Sequence, residues 1–92
     1  MRELEYAGAF KRDYKREKKG LHRGTVAADL EVVLALLAAD VALGEAYSDH
    51  DLSGDWAGYR ECHIKPDLLL IYSKAEVGIL RLSRLGSHSE LF

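Results

Sequence analysis

Leu68-Leu-Leu-Ile-Tyr72 is a nearly continuous apolar run between two turn signals, Lys65-Pro66-Asp67 before it and Ser73 to Gly78 after it. A short apolar run bounded in this way predicts a strand at the centre of a sheet. The flanking stretches fit its neighbours. From Trp56 to Ile64 the chain alternates. Trp56, Gly58, Arg60, Cys62 and Ile64 share one face, and Ala57, Tyr59, Glu61 and His63 share the other. If Cys62 and Ile64 face the core, Glu61 and His63 face away from it. Ile79 to Leu85 supplies the third strand of a meander.

The first half of the chain reads differently. Residues 3–7 alternate and predict a short first strand. A helix follows from about Ala9 to Lys19, with Gly20 as its stop. Phe10 and Tyr14 form its apolar stripe, and Lys11, Arg12, Lys15, Arg16, Lys18 and Lys19 fill the opposite side. Thr25 is placed to cap a second helix over about 26–43, stopped by Gly44. Val26, Leu30, Val33, Leu34, Leu37 and Val41 form its packing stripe, but Val32 and Leu36 make its other side apolar as well. A helix apolar nearly all round is buried or meets a partner. Val32 and Leu36 are therefore expected against the first helix or under a bound protein. The resulting order is β-α-α-β-β-β. It defines an α+β fold with two helices on one face of a mostly antiparallel sheet, and the other face is left to carry a site.

Ninety-two residues, close to half of them hydrophobic, make one domain over 1–92. The single cysteine excludes an intrachain disulfide and fits a reducing compartment. The N-terminus has no apolar leader-like region, and the longest apolar run, Val32 to Ala39, is too short to span a bilayer. The expectation is a soluble cytoplasmic protein with no membrane partner.

Net charge is −2, but it is unevenly distributed. Residues 1–24 hold eight bases and four acids, whereas residues 25–55 hold seven acids and no Lys or Arg. Such asymmetry focuses a local field. The basic helix is either a solvated face or a surface that tracks RNA phosphates, in which case Lys11, Lys15, Arg16 and Lys19 are its contacts.

The residues suited to proton transfer gather in two places. His50, His63 and Asp67 lie in the stretch Asp49–Asp67, and Arg81, Arg84 and His88 lie near the C-terminus. Imidazole exchanges protons near neutral pH. No two of these histidines have the i, i+4 spacing of a zinc site, and there is no C-x-x-C, so no metal is assigned. His22, in a Gly-rich turn without acidic sequence neighbours, receives no role. Cys62 reads as a small buried hydrophobe.

The second half resembles the RelE/ParE superfamily of bacterial toxins, specifically its YafQ branch of mRNA interferases. The resemblance rests on Asp49-His50, Leu52-x-Gly54-x-Trp56-x-Gly58-Tyr59-Arg60, His63-x-x-Pro66-Asp67, Leu70-Ile71-Tyr72, Arg81-x-x-Arg84-x-Gly86-x-His88 and Leu91-Phe92. It covers about residues 47–92, and the order of elements extends it over the chain. It implies a toxin neutralised by a cognate antitoxin and acting on mRNA at the 70S ribosome without a metal or other cofactor. His50, His63, Asp67, Arg84 and His88 are the implied catalytic positions, with Phe92 placing the RNA. Relatives often carry aspartate at the position of Glu61, and some carry tryptophan at the position of Leu68. The first departure bears on a hydrogen bond near the substrate, and the second removes a stacking platform.

Metal-free RNA cleavage needs a base for the 2′-hydroxyl, an acid for the leaving 5′-oxygen and a cation for the phosphorane. His50 or His63 is assigned as base, His88 as acid and Arg84 as cation, with Arg81 second. Asp67 either orients an imidazole or acts as a base. Strict alternation in the last strand puts Arg84 on the same side as Leu80 and Leu82, so the strand must end or bulge before Arg84 if that side chain is to leave the core. The alternative is the gyrase-binding, non-enzymatic ParE branch, which has no need of three histidines.

Overall fold

In the computed structural model, which describes residues 1–92, the apolar run is the middle strand of a five-stranded sheet. The elements are β1 (Glu3–Tyr6), α1 (Gly8–Glu17), α2 (Val26–Ala38), β2 (His50–Asp51), β3 (Arg60–Lys65), β4 (Leu68–Ser73), β5 (Ile79–Gly86) and α3 (His88–Leu91). The strands lie in the order β1-β5-β4-β3-β2. β1 pairs parallel with β5, and the other three pairings are antiparallel. All six residues of β4 are buried, as a central strand requires. The expected α+β order is therefore present, with two short additions, β2 and α3.

The helices cover one face. Phe10 of α1 and Val26, Leu30, Val33 and Leu37 of α2 pack on Cys62, Leu70, Tyr72, Leu80, Leu82 and Leu85 of the sheet. Each fully buried large apolar side chain contributes about 1.5–3 kcal/mol of burial free energy. The opposite face is less bare than the sequence suggested. Leu69, Ile71 and Leu91 form a second cluster there, with Leu52, Trp56 and Tyr59 at its margin. Leu91 comes from α3, so the chain end folds back over this face.

Three expectations need correction. α2 stops at Ala38 and not near Leu43. Asp40 adopts the left-handed region at φ 57°, and the N–H groups of Asp40 and Val41 donate to the carbonyls of Leu37 and Leu36. These are the two bonds of a Schellman closure, and aspartate tolerates that backbone better than most residues. Val41 thus leaves the packing stripe and is exposed, and so is Val32. Leu34 stays partly buried against the core, beside a groove of about 630 Å³ lined by Leu4, Phe10 and Tyr14. Trp56 is not in β3. It lies in a 3₁₀ turn, and Gly58 at φ 92° breaks the alternation before the strand begins at Arg60. Trp56 therefore sits beside Tyr59, edge to face at 5.2 Å between ring centroids, and not beside Cys62.

β5 shows the bulge that alternation demanded. Ile71 pairs with Arg84 but Tyr72 pairs with Leu82, so Ser83 is an inserted residue. Leu80, Leu82 and Leu85 all stay buried, while Arg81 and Arg84 emerge on the other side as half-buried residues.

Candidate active site

The register of the sheet builds the site. His50 pairs with Glu61, Glu61 with Ile71 and Ile71 with Arg84, so these four form one row across β2, β3, β4 and β5. Residues paired across strands share a face. His63 follows two positions after Glu61 on that same face. This is the side opposite the helices, as the alternation of β3 predicted.

Glu61 is the centre of the row's first half. Its side chain is 7 % exposed, and its Oε1 lies 3.6 Å from His63 Nε2 and 3.8 Å from His50 Nε2. One carboxylate thus faces two imidazoles. His50 Nδ1 is 2.6 Å from the carbonyl oxygen of Ser48. A carbonyl only accepts, so Nδ1 carries the hydrogen and the neutral ring keeps its lone pair on Nε2. His50 therefore presents an acceptor nitrogen toward the open face.

Arg84 holds the other end of the row. Its Nε and Nη2 donate to the Asp13 carboxylate at 2.7 and 3.3 Å. Asp13, buried in α1, also accepts from the Leu85 N–H at 3.0 Å. β1 ends at Tyr6, which leaves this part of the β5 edge without a neighbouring strand. Asp13 satisfies the edge donor, and Arg16 Nη2 satisfies the Leu85 carbonyl at 2.8 Å. Asp13 went unnoticed in the sequence, although it falls three residues after Phe10, on the packing side of α1. The Arg84 side chain remains partly exposed.

α3 begins at His88, and Phe92 follows it as the C-cap. Ser87 and Glu90 form a reciprocal capping box. His88 and Phe92 are i, i+4 neighbours with ring centroids 5.1 Å apart, and both are exposed. Gly86 permits the return of the tail. A Cβ there would meet Arg16 Nη2 at 2.8 Å and Leu91 Cδ2 at 3.3 Å.

Asp67 stands apart from this row. It accepts from His22 Nε2 at 2.9 and 3.1 Å, and that hydrogen bond is the main reason its carboxyl lies below the usual carboxylate range. Asp67 is thus paired with His22 and not with His50, His63 or His88. His22, given no role from the sequence, is the hydrogen-bond partner of Asp67. The missing signal was tertiary, because 45 positions separate the pair. Arg81 is ion-paired with Glu5. Arg16 is taken up by Asp13, Glu17, Glu90 and the Leu85 carbonyl, so it is the least available of the four proposed RNA contacts. Lys11, Lys15 and Lys19 are exposed. Leu68 is buried in the core, away from any stacking position.

A small α+β domain with an imidazole–carboxylate–guanidinium row on its open face is the class that the fold and site define. The chain belongs to the YafQ family, described as "Bacterial toxin of type II toxin-antitoxin system, YafQ", which matches residues 2–92. It is 37% identical over 92 residues to the mRNA interferase toxin YafQ of Escherichia coli K12, covering 99% of this chain and 96% of that protein. The crystal structure of YafQ from E. coli BL21(DE3) superposes with a TM-score of 0.86 at 35% identity, covering 100% of this chain and 99% of that one. The E. coli DinJ–YafQ complex gives 0.85 at 36% identity over 100% and 99% of the two chains. No helix of this chain is long and apolar enough to cross a membrane.

Proposed function

We propose that this toxin is a ribosome-dependent endoribonuclease that cleaves mRNA without a metal, by attack of a 2′-hydroxyl on the adjacent phosphate. The observation that carries this reading is the buried Glu61 carboxylate between His50 and His63, with His50 fixed in the tautomer that accepts a proton on Nε2. His50 removes the 2′-hydroxyl proton, and Glu61 stabilises the imidazolium that forms. Arg84, in the same row, stabilises the charge of the phosphorane. His88 protonates the departing 5′-oxygen, and Phe92 beside it packs on a base. His63 shares Glu61 and assists whichever imidazole carries the proton. Asp67 is held by His22, apart from this row. Each positioned acid or base supplies about 10²–10⁴-fold.

The partners are the 70S ribosome with its mRNA and a cognate antitoxin, and the compartment is the cytoplasm. The DinJ–YafQ complex supports the antitoxin. The apolar groove between α1 and α2 is a surface suited to such a partner.

Primer extension on a translated message tests this reading. Wild-type protein should give defined cuts that leave 5′-hydroxyl ends, and His50→Ala and His88→Ala should abolish them. Cuts with 5′-phosphate ends would point to metal-activated water and overturn the mechanism. Toxicity that survives both substitutions without any cuts would favour the gyrase-binding alternative.

A further inference from the structure

We propose that Asp49, Arg60 and Tyr72 form a latch on the helix-covered face of the sheet that positions His50 on the open face. The inference rests on the reading of His50 as the base. Arg60 binds both residues that flank His50. Its Nη2 donates to Asp49 Oδ2 at 3.0 Å and its Nη1 to Asp51 Oδ1 at 2.5 Å. Its Nε donates to the Tyr72 hydroxyl at 3.3 Å, and that hydroxyl donates in turn to Asp49 Oδ1. The Tyr72 ring is 1 % exposed in the main core, so it is a fixed reference for the whole set.

The pleat of a strand converts this grip into an orientation. Successive side chains alternate between faces. With Asp49 and Asp51 drawn to the helix-covered side, His50 between them must point to the other side, above Glu61. β2 is only two residues long and cannot hold this orientation by its ladder alone. Ser48 also needs holding, because it is a non-glycine residue at φ 48° and ψ 42°. That conformation places its carbonyl against His50 Nδ1. Burial and Asp49 both raise the pKa of the Tyr72 hydroxyl, which keeps it a donor. Three donor atoms of Arg60 are committed to the latch, which sets Arg60 apart from the RNA-facing Arg84.

Tyr72→Phe removes one hydroxyl and keeps the core ring, and Asp49→Asn keeps the shape and removes the charge. Each is assayed on programmed ribosomes alone and with His50→Ala, and the ¹⁵N shifts of the His50 ring are recorded. We expect kcat to fall at least about tenfold with KM within about twofold, and no further loss in the His50→Ala background. The His50 ring should lose its single tautomer in Tyr72→Phe. Wild-type kcat and an unchanged tautomer in Tyr72→Phe, with His50→Ala inactive, overturn the latch alone. Losses that multiply with His50→Ala mark a merely structural role and also overturn it. An active His50→Ala enzyme removes the base assignment and takes the latch with it. Should Asp49→Asn fail to fold, Tyr72→Phe decides.

Discussion

Arg84 Nε lies 2.7 Å from Asp13 Oδ2, a contact that joins α1 to β5 across 71 positions of sequence. It makes a buried acid in the most basic helix of the chain the support of the residue assigned to the phosphorane. Removing the carboxylate leaves the guanidinium and the Leu85 N–H short of a partner. Asp13→Ala should therefore cost about 2–3 kcal/mol in urea unfolding. Cleavage should fall further than stability explains, because Arg84 is freed to leave the row. Unfolding midpoints and kcat measured on the same preparations check both.

The same contact sets an acid dependence. Burial pushes the Asp13 carboxyl up, but hydrogen bonds from Arg84 and the Leu85 N–H, with the charges of Arg84 and Arg16, hold it below its ordinary value. A carboxyl with a lowered folded pKa contributes stability above its unfolded pKa, near 3.9, and loses it as pH falls through the folded value. Wild-type stability should thus drop below about pH 4, and the stability of Asp13→Asn should fall less over that range. Urea titrations between pH 2 and 7 compare the two slopes.

Much of this was legible in the sequence because period two and period 3.6 are local signals. β4, the open-face position of Glu61 and His63, and the need for a bulge before Arg84 all follow from counting along the chain. Asp13, His22 and the Asp49–Arg60–Tyr72 set were not legible as a group. Each has value only through a partner at least 11 positions away, apart from helix neighbours. Alternation also misplaced Trp56, because a 3₁₀ turn and a glycine at positive φ come before the strand begins.

Cys62 should be inert in the native protein. Burial first, and then the charges of Asp49 and Glu61, push its thiol up to about 12. The thiolate is the reactive form, so alkylation at pH 8 requires opening of the core. The labelling rate should rise with urea in parallel with unfolding. Rapid labelling without denaturant would show that β3 opens locally.

The chain end should be separable from the fold. Four residues cannot sustain a helix by themselves, and α3 is held by its capping box and by Leu91, its one buried side chain. Leu91→Ala should cost about 2 kcal/mol, the low end for buried leucine, because a terminal helix relaxes into the space. Protease should clip the tail first, and kcat should fall as His88 and Phe92 lose their placement. A variant with a cleavable tail and full activity would show that His88 acts without α3.

The cations of α1 and of the turn after it fall into two kinds. Lys15 and Lys19 are exposed, whereas the Arg16 guanidinium holds the β5 edge and three carboxylates. Contacts to single-stranded RNA phosphates each contribute about 0.7 to the slope of log K against log salt. Lys15→Glu with Lys19→Glu should weaken RNA association and reduce that slope by roughly 1–1.5. Arg16→Ala should leave the slope unchanged and instead lower stability by about 1 kcal/mol, a small figure because the side chain is partly exposed. Filter binding over a salt series with each variant separates the two. A slope that falls as much for Arg16→Ala as for the lysine pair would mean that Arg16 releases its carboxylates when RNA arrives.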